Sequence, residues 1–246
     1  MRPIIGITSS FEANNEDPAR LQSHLLAGYS DAIYAAGGLA HVIPAPPRWD
    51  APLLDDILAC CNGLVFAGGY DLMPSHYDQQ PHARTHLMHP RRDRFELELF
   101  RRADTRQVPI FGICLGHQVA HVARGGRLIQ HVDDLDLSPA VCHHLPNEEN
   151  AFHGVRVEPD SRLAEIVDGT RLEVNSRHHQ IVDHEHPGHG LRTVAVSADG
   201  VIEASEDCGE RFLLTVQWHP EDLLDRAEQL DLFAALVDHA QGKRGH

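Results

Sequence analysis

The sequence predicts an α/β fold: a single-domain three-layer sandwich with a central mostly parallel sheet, a nucleophile elbow, and additional antiparallel strands in the C-terminal half. Three observations predict it. Short apolar runs alternate with helical stretches through the first half of the 246 residues. The pentapeptide "GICLG" (112–116) places a cysteine between two glycines where a strand-like run becomes a helix. Beyond residue 150, strand-like runs follow one another with turn signals between them.

"PIIGIT" (3–8) reads as the first strand. "RLQSHLLAGYSDAIYAAGG" (20–38) has apolar residues at helical spacing and stops on glycines, so a helix is expected there. "LAHVIP" (39–44) is a strand, "APLLDDILACC" (51–61) a helix, and "GLVFAGG" (63–69) a strand ending in glycines. "RRDRFELELFRRADTRQ" (91–107) is an amphipathic helix, followed by the strand "VPIFGIC" (108–114) and a helix from Leu115 to about Arg124. Strands separated by helices of this length imply right-handed crossovers and parallel pairing. In the second half, strands are expected at 152–159, 170–176, 191–197, 200–206 and 211–218. "ADG" (198–200) marks a hairpin turn, and 225–240 forms a closing amphipathic helix. With no repeat or linker, one domain over 1–246 is the economical reading.

The hydrophobic fraction of 42% and charged fraction of 23% are those of a globular protein, and the net charge is −15 with histidine neutral. That balance argues against a nucleic-acid partner, which would call for a basic patch. No run of about eighteen apolar residues exists, so no membrane association is expected. The N-terminal segment lacks a signal-peptide pattern, and five cysteines without framework spacing read as reduced thiols. A cytoplasmic location is the resulting expectation.

Candidate chemistry centres on Cys114. A sharp strand-to-helix turn brings backbone close on either side, hence glycines two positions away, and lifts the side chain clear of the sheet. The helix N-terminus favours thiolate over thiol, and the Leu115 N–H can donate to a developing oxyanion. A thiolate nucleophile wants a base and an orienting group. In "VQWHPE", Pro220 keeps His219 out of helix, and extended chain would turn Glu221 to the same side as His219. Gly69, in the glycine pair ending the 63–69 strand, is the second oxyanion donor. The plain alternatives are a packed buried cysteine, a strand end and a glycine turn. Loop 70–92, polar and rich in Pro and His, is expected to cover the site. Among the 20 histidines, His117 and His121 have ligand spacing, but neither an HExxH motif nor a cysteine cluster accompanies them, so no metal and no other cofactor is expected.

"GICLGHQ", "VQWHPE" and "FAGGYD" resemble the signatures of the class I glutamine amidotransferase-like superfamily. Within it the resemblance is closest to the γ-glutamyl-γ-aminobutyrate hydrolase and related γ-glutamyl hydrolase family. It is carried by "GGYDLMPSHY" (68–77), "RRDRFELELF" (91–100), "ARGGRLIQ" (123–130), "VNSRHHQIV" (174–182) and "DGVIEASE" (199–206). It spans most of the chain. One position departs: that family often has arginine immediately after the nucleophile, and here it is Leu115. The resemblance implies a Cys114–His219–Glu221 triad, a contact from Gln118 to the scissile amide or the elbow, and a glutamyl pocket that includes Asn175, Ser176 and His178.

The reading that follows is a hydrolase of small-molecule γ-glutamyl substrates, such as γ-glutamyl-γ-aminobutyrate, acting through a γ-glutamyl thioester in amine or polyamine catabolism. Two alternatives stay open: a glutaminase subunit that passes ammonia to a synthase, and a non-catalytic binding member of the fold. No obligate synthase partner is expected, and a homodimer is left open.

Overall fold

The computed structural model describes residues 1–13, 20–145 and 149–242. The chain opens with β1 (Ile4–Thr8), β2 (Ser10–Ala13), β3 (Leu21–His24), α1 (Ala27–Ala35), β4 (Leu39–Ile43), α2 (Ala51–Ala59) and β5 (Gly63–Phe66). It continues through α3 (Pro90–Thr105), β6 (Ile110–Ile113), α4 (Leu115–Ala123) and β7 (Leu128–Ile129). The second half holds β8 (Ala151–Val157), α5 (Arg162–Val167), β9 (Arg171–Ser176), β10 (Ile181–Val182), β11 (Leu191–Ser197), β12 (Ile202–Asp207), β13 (Leu213–Val216) and α6 (Ala227–Gly242).

Nine strands form one mixed sheet in the order β4-β1-β5-β6-β13-β12-β11-β8-β9. Pairing is parallel from β4 to β13 and antiparallel from β13 to β9. The expected α/β architecture is observed. The central strands β5, β6 and β13 are buried along their whole length, as strands covered on both faces must be. Alternation along β6 splits the core: Phe111 and Ile113 pack toward α1 and α6, while Ile110 packs toward α2, α3 and α4. Phe111 meets Phe233 of α6 edge-on at 5.2 Å, and Phe66 of β5 meets Phe100 of α3 at 5.3 Å on the other face.

Local sequence explains several boundaries. The Asp50 carboxylate accepts from Leu53 N and caps α2; the Ser161 hydroxyl accepts from Ala164 N and caps α5. Gly200, at φ 89, turns the β11–β12 hairpin where "ADG" was expected to do so.

One expected helix is shorter. Residues 20–38 read as helical, yet Leu21–His24 pair antiparallel with Ser10–Ala13, and the helix begins only at Ala27. The apolar spacing misled because Leu21 is 38% exposed and supplies no core face, so hairpin pairing prevails over the helical period. The sequence reading also passed over α5 and the short β7–β10 pair.

Candidate active site

Three adjacent strands end on one cavity. The ends of β5, β6 and β13 lead to Gly68–Gly69, Cys114 and His219, the carboxyl-end position that open parallel sheets favour for ligands. The cavity holds about 720 Å³ and includes all four of those residues in its wall.

Cys114 sits at the elbow with φ 51 and ψ −100, a left-handed conformation that non-glycine residues rarely adopt. Both flanking glycines are required by close approach. A Cβ on Gly112 would lie 2.7 Å from the Gly116 carbonyl oxygen, and one on Gly116 would lie 2.2 Å from the Phe66 carbonyl oxygen. The sulfur stands at the N-terminus of α4, where Leu115 N–H, on the first helical residue, has no intrahelical acceptor.

His219 shares the cavity wall with Cys114, and its Nδ1–H donates to Glu221 Oε1 at 2.7 Å. Burial works against the imidazolium, but the Glu221 carboxylate and Cys114 outweigh it and raise the His219 pKa to about 10. Glu221 reaches His219 by a different path from the one expected. Pro220–Asp222 form a 3-10 turn, so the carboxylate folds back under the ring instead of continuing an extended chain. The Asn175 side chain clamps the His219 backbone, its Nδ2 donating to His219 O at 2.9 Å and its Oδ1 accepting from His219 N at 3.0 Å. Gln217 Nε2 approaches Cys114 Sγ at 3.6 Å.

The Gly68–Gly69 turn is held from below by Arg92. Its guanidinium donates to Ala67 O (2.9 Å), Gly68 O (3.0 Å) and Ser10 Oγ (2.6 Å), and its Nε to Glu96 Oε1 (2.7 Å). A Cβ on Gly69 would lie 2.1 Å from Arg92 Nη1, so only glycine lets the loop sit on this cation. Gly68 N–H donates to the Tyr29 hydroxyl at 2.9 Å, whereas Gly69 N–H has no acceptor among the described residues. Gly69 and Leu115 therefore present the free amides beside Cys114. Burial, then the nearby Glu221 charge, raise the Tyr29 pKa well above its ordinary value and keep it a phenol.

Gln118, expected at the scissile amide or the elbow, and Ser176 and His178, expected with Asn175 in the glutamyl pocket, lie off the cavity. Gln118 is buried, donates to Gln180 O at 3.2 Å and also approaches Gln217 Oε1 at 3.4 Å; Ser176 Oγ donates to His143 O at 2.6 Å; His178 Nδ1–H donates to Gln180 O at 3.1 Å. Together with Asn175 they stand behind the wall and do not line the cavity. Alternation separates Ser176 and His178 from Arg177 and His179, which face the cavity instead, whereas Asn175 is withdrawn by its two bonds to the His219 backbone. Arg177 pairs with Asp222 and stands 3.5 Å from Glu221. Its Nη2 also comes 3.0 Å from His219 Nδ1, a close approach of two N–H groups and not a hydrogen bond, because Nδ1 already donates to Glu221.

The long segment after Gly69 does border the cavity, through Tyr70, Asp71, Arg84 and His86. It is tethered. Asp71 accepts from His86 N at 2.7 Å and from His179 Nε2 at 3.1 Å, and Gln130 Oε1 accepts from His82 N at 2.8 Å. His117 and His121, the pair with ligand spacing, instead bond to Thr215 and Ser205 hydroxyls at 2.8 and 3.0 Å.

Residues 3–221 match the family model Peptidase C26. The chain belongs to the Peptidase C26 family. Among its relatives, a Mycobacterium tuberculosis protein that carries the name "Putative glutamine amidotransferase" is 40% identical over 99% of this chain and 77% of its own length. The γ-glutamyl-γ-aminobutyrate hydrolase of Escherichia coli is 30% identical over 89% of this chain and 85% of its own. Solved structures with the same fold include the glutaminase domain of Trypanosoma brucei CTPS, at TM-score 0.65, 17% identity and coverage of 96% and 94% of the two chains. A Thermotoga maritima glutamine amidotransferase superposes at TM-score 0.61, 15% identity and coverage of 99% and 98%. This C26 chain thus shares the glutamine amidotransferase-like fold, and no helix among its described residues is long and apolar enough to cross a membrane.

Arg92, Gln217, Arg177 and His179 escaped the sequence reading. Arg92 and Glu96 carried a signal: an oppositely charged pair four apart on a helix. Gln217 stands two residues before His219 in extended chain, which puts it on the same side.

Proposed function

We propose that this C26 chain is a cysteine-dependent hydrolase of γ-glutamyl amides. The observation that carries the reading is the left-handed Cys114 elbow, which joins the sulfur to the His219–Glu221 pair and to the free amides of Gly69 and Leu115. Cys114 Sγ attacks the γ-carbonyl, and the resulting oxyanion accepts from the two amides. As the tetrahedral intermediate collapses, the imidazolium of His219 gives its proton to the leaving amine and a γ-glutamyl thioester remains. The neutral ring then takes a proton from water, which attacks the thioester and releases glutamate. Glu221 holds the ring in the tautomer that leaves Nε2 toward the sulfur.

Substrate features follow from the wall. Arg84 and Arg177 offer cations to an α-carboxylate, while Glu12 and Asp71 offer carboxylates to an α-ammonium. A site built on both charges rejects analogues that lack either. The cavity exceeds the room a side-chain amide needs, so the leaving amine can carry a substituent under the 70–89 segment. The name of the M. tuberculosis relative favours a second reading, glutaminase action for a synthase partner.

The deciding experiment measures glutamate release from γ-glutamyl-γ-aminobutyrate, other γ-glutamyl amines, α-glutamyl isomers and glutamine. Faster release from γ-linked amine conjugates than from glutamine supports the hydrolase. Glutaminase activity that emerges only with a synthase added supports the second reading. Absence of turnover on every substrate leaves a binding member of the fold.

A further inference from the structure

A buried cluster of side chains stands behind the Arg177–His179 wall, outside the machinery described above. His143 precedes β8, His153 lies on β8, His178 follows β9, and Glu203 lies on β12. One ligand-type atom from each comes within 4.8 Å of all the others. Their side chains are 1%, 6%, 2% and 0% exposed, respectively.

The hydrogen bonds around the cluster fix what it presents at its centre. His143 Nε2–H donates to Asp199 Oδ2 at 2.9 Å, which leaves Nδ1 as a lone pair in the neutral ring. His178 Nδ1–H donates to the Gln180 carbonyl, which leaves Nε2 as a lone pair. These two nitrogens stand 3.4 and 3.8 Å from Glu203 Oε1, itself an acceptor. His143 Nδ1, His178 Nε2, both nitrogens of His153 and both oxygens of Glu203 lack hydrogen-bond partners among the described residues. An unpaired buried carboxylate facing nitrogen lone pairs is strongly unfavourable without a cation at the centre. A proton would bridge one nitrogen to Glu203 and leave the other acceptors unpaired.

We propose that His143, His153, His178 and Glu203 bind a zinc ion that braces this wall of the cavity. Zinc takes four nitrogen and oxygen donors at about 2.0–2.1 Å in a tetrahedron, whose edge is then about 3.3–3.4 Å. Glu203 Oε1 stands 3.4 Å from His143 Nδ1, 3.4 Å from His153 Nε2 and 3.8 Å from His178 Nε2. Asp199 and the Gln180 carbonyl orient two of the imidazoles, the outer arrangement expected of ligating histidines. All four donors come from the protein and are buried, so the site is closed and the ion structural. Its four ligands come from separate segments, and His178 sits between two residues of the cavity wall. The ion therefore ties β8, β9 and β12 to the 177–179 segment. A second group, His131, Asp133 and His144, is half-exposed within the cavity and serves as the internal control.

The test is metal analysis of full-length protein purified without an affinity tag and dialysed against metal-free buffer. About one zinc per chain is expected, in both the wild type and Cys114→Ala. Failure of the catalytic reading would leave that result unchanged. Asp199→Asn should weaken zinc about 10–100-fold, and Glu203→Gln more. His131→Ala should retain the ion. Because ligand variants can misfold, the chelator-stripped wild type is titrated with cobalt(II) alone. Four-coordinate cobalt absorption and a rise in Tm on saturation are expected. The proposal is overturned if stripped protein takes up neither zinc nor cobalt, or if the ion leaves with His131→Ala and persists in Glu203→Gln.

Discussion

In the parallel half of the sheet, β5, β6 and β13 lie side by side and each ends on the cavity, delivering Gly69, Cys114 and His219 from the backbone itself. In the antiparallel half, no strand end supplies a reacting atom. There β9 ends beside the site and offers side chains: Asn175 grips the His219 backbone, and Arg177, just beyond the strand, faces the cavity. The difference lies in how precision is obtained. Parallel strands share one direction, so their ends converge without further help. The antiparallel strands alternate in direction, so only some of them end on the cavity side, and that wall is positioned by polar contacts between distant segments, such as Ser176 Oγ to His143 O. Damage to the first half should abolish chemistry, and damage to the second should detune it.

The largest effect is expected at the elbow. Cys114→Ala keeps the turn compact and should lower kcat by at least about ten-thousandfold, with an unchanged circular dichroism spectrum. His219→Ala should approach that loss. The double variant should be no worse than Cys114→Ala, since groups that act as a unit are not additive. Turnover kinetics on a γ-glutamyl amide check all three.

Next comes the support beneath Gly69. Arg92→Met leaves Glu96 buried without its cation and frees the Ala67 and Gly68 carbonyls. Denaturant unfolding should show a loss of about 3–5 kcal/mol. Adding Glu96→Gln should recover part of the stability but not the turnover, because the carbonyl contacts stay broken. Full recovery of turnover would remove Arg92 from any role in aiming Gly69.

The pH response sharpens the same half. His219 is raised from 6.5 to about 10, chiefly by Glu221 and Cys114 acting against burial. A folded-state pKa above the unfolded one gives stability that is fully present below about pH 6.5 and lost as pH rises through about 10. The proton needed by the leaving amine disappears over the same upper range, so activity should fall through about pH 10. Glu221→Gln should move that alkaline limb downward, and a pH–rate profile that keeps its limb in place would detach Glu221 from His219.

Smaller changes belong to the other half. Asn175→Ala removes two bonds that place the His219 backbone, and kcat should fall about tenfold, near 1.4 kcal/mol, with KM little changed. A rise in KM alone would return Asn175 to substrate contact. Far from the site, Ser161→Ala removes the cap of α5 and should lower stability by about 1 kcal/mol while leaving turnover intact.

Legibility in the sequence follows the same division. The elbow could be read because its constraint is local: Gly112 and Gly116 are needed where backbone meets backbone, and both fall within five residues of one another. His219 and Glu221 could be paired because they are two apart, although the chain joins them through a 3-10 turn. The wall was less legible. "VNSRHHQ" marked the right segment, but alternation at the end of β9 decides which side chains face inward, and it selects Arg177 and His179 over Ser176 and His178. Leu21–His24 looked helical because a period shows spacing and not the partner strand across the hairpin. The cluster of His143, His153, His178 and Glu203 has no sequence spacing at all, since four separate segments converge on it.

The central claim is covalent: a γ-glutamyl thioester on Cys114. Intact-protein mass spectrometry of Glu221→Gln, quenched during turnover of a γ-glutamyl amide, tests it most directly, because a misoriented His219 should slow hydrolysis of the thioester. The account predicts a mass increase of one glutamyl group that maps to Cys114 and is absent from Cys114→Ala. Glutamate released by Cys114→Ala at the wild-type rate, or an adduct on any other residue, would contradict it.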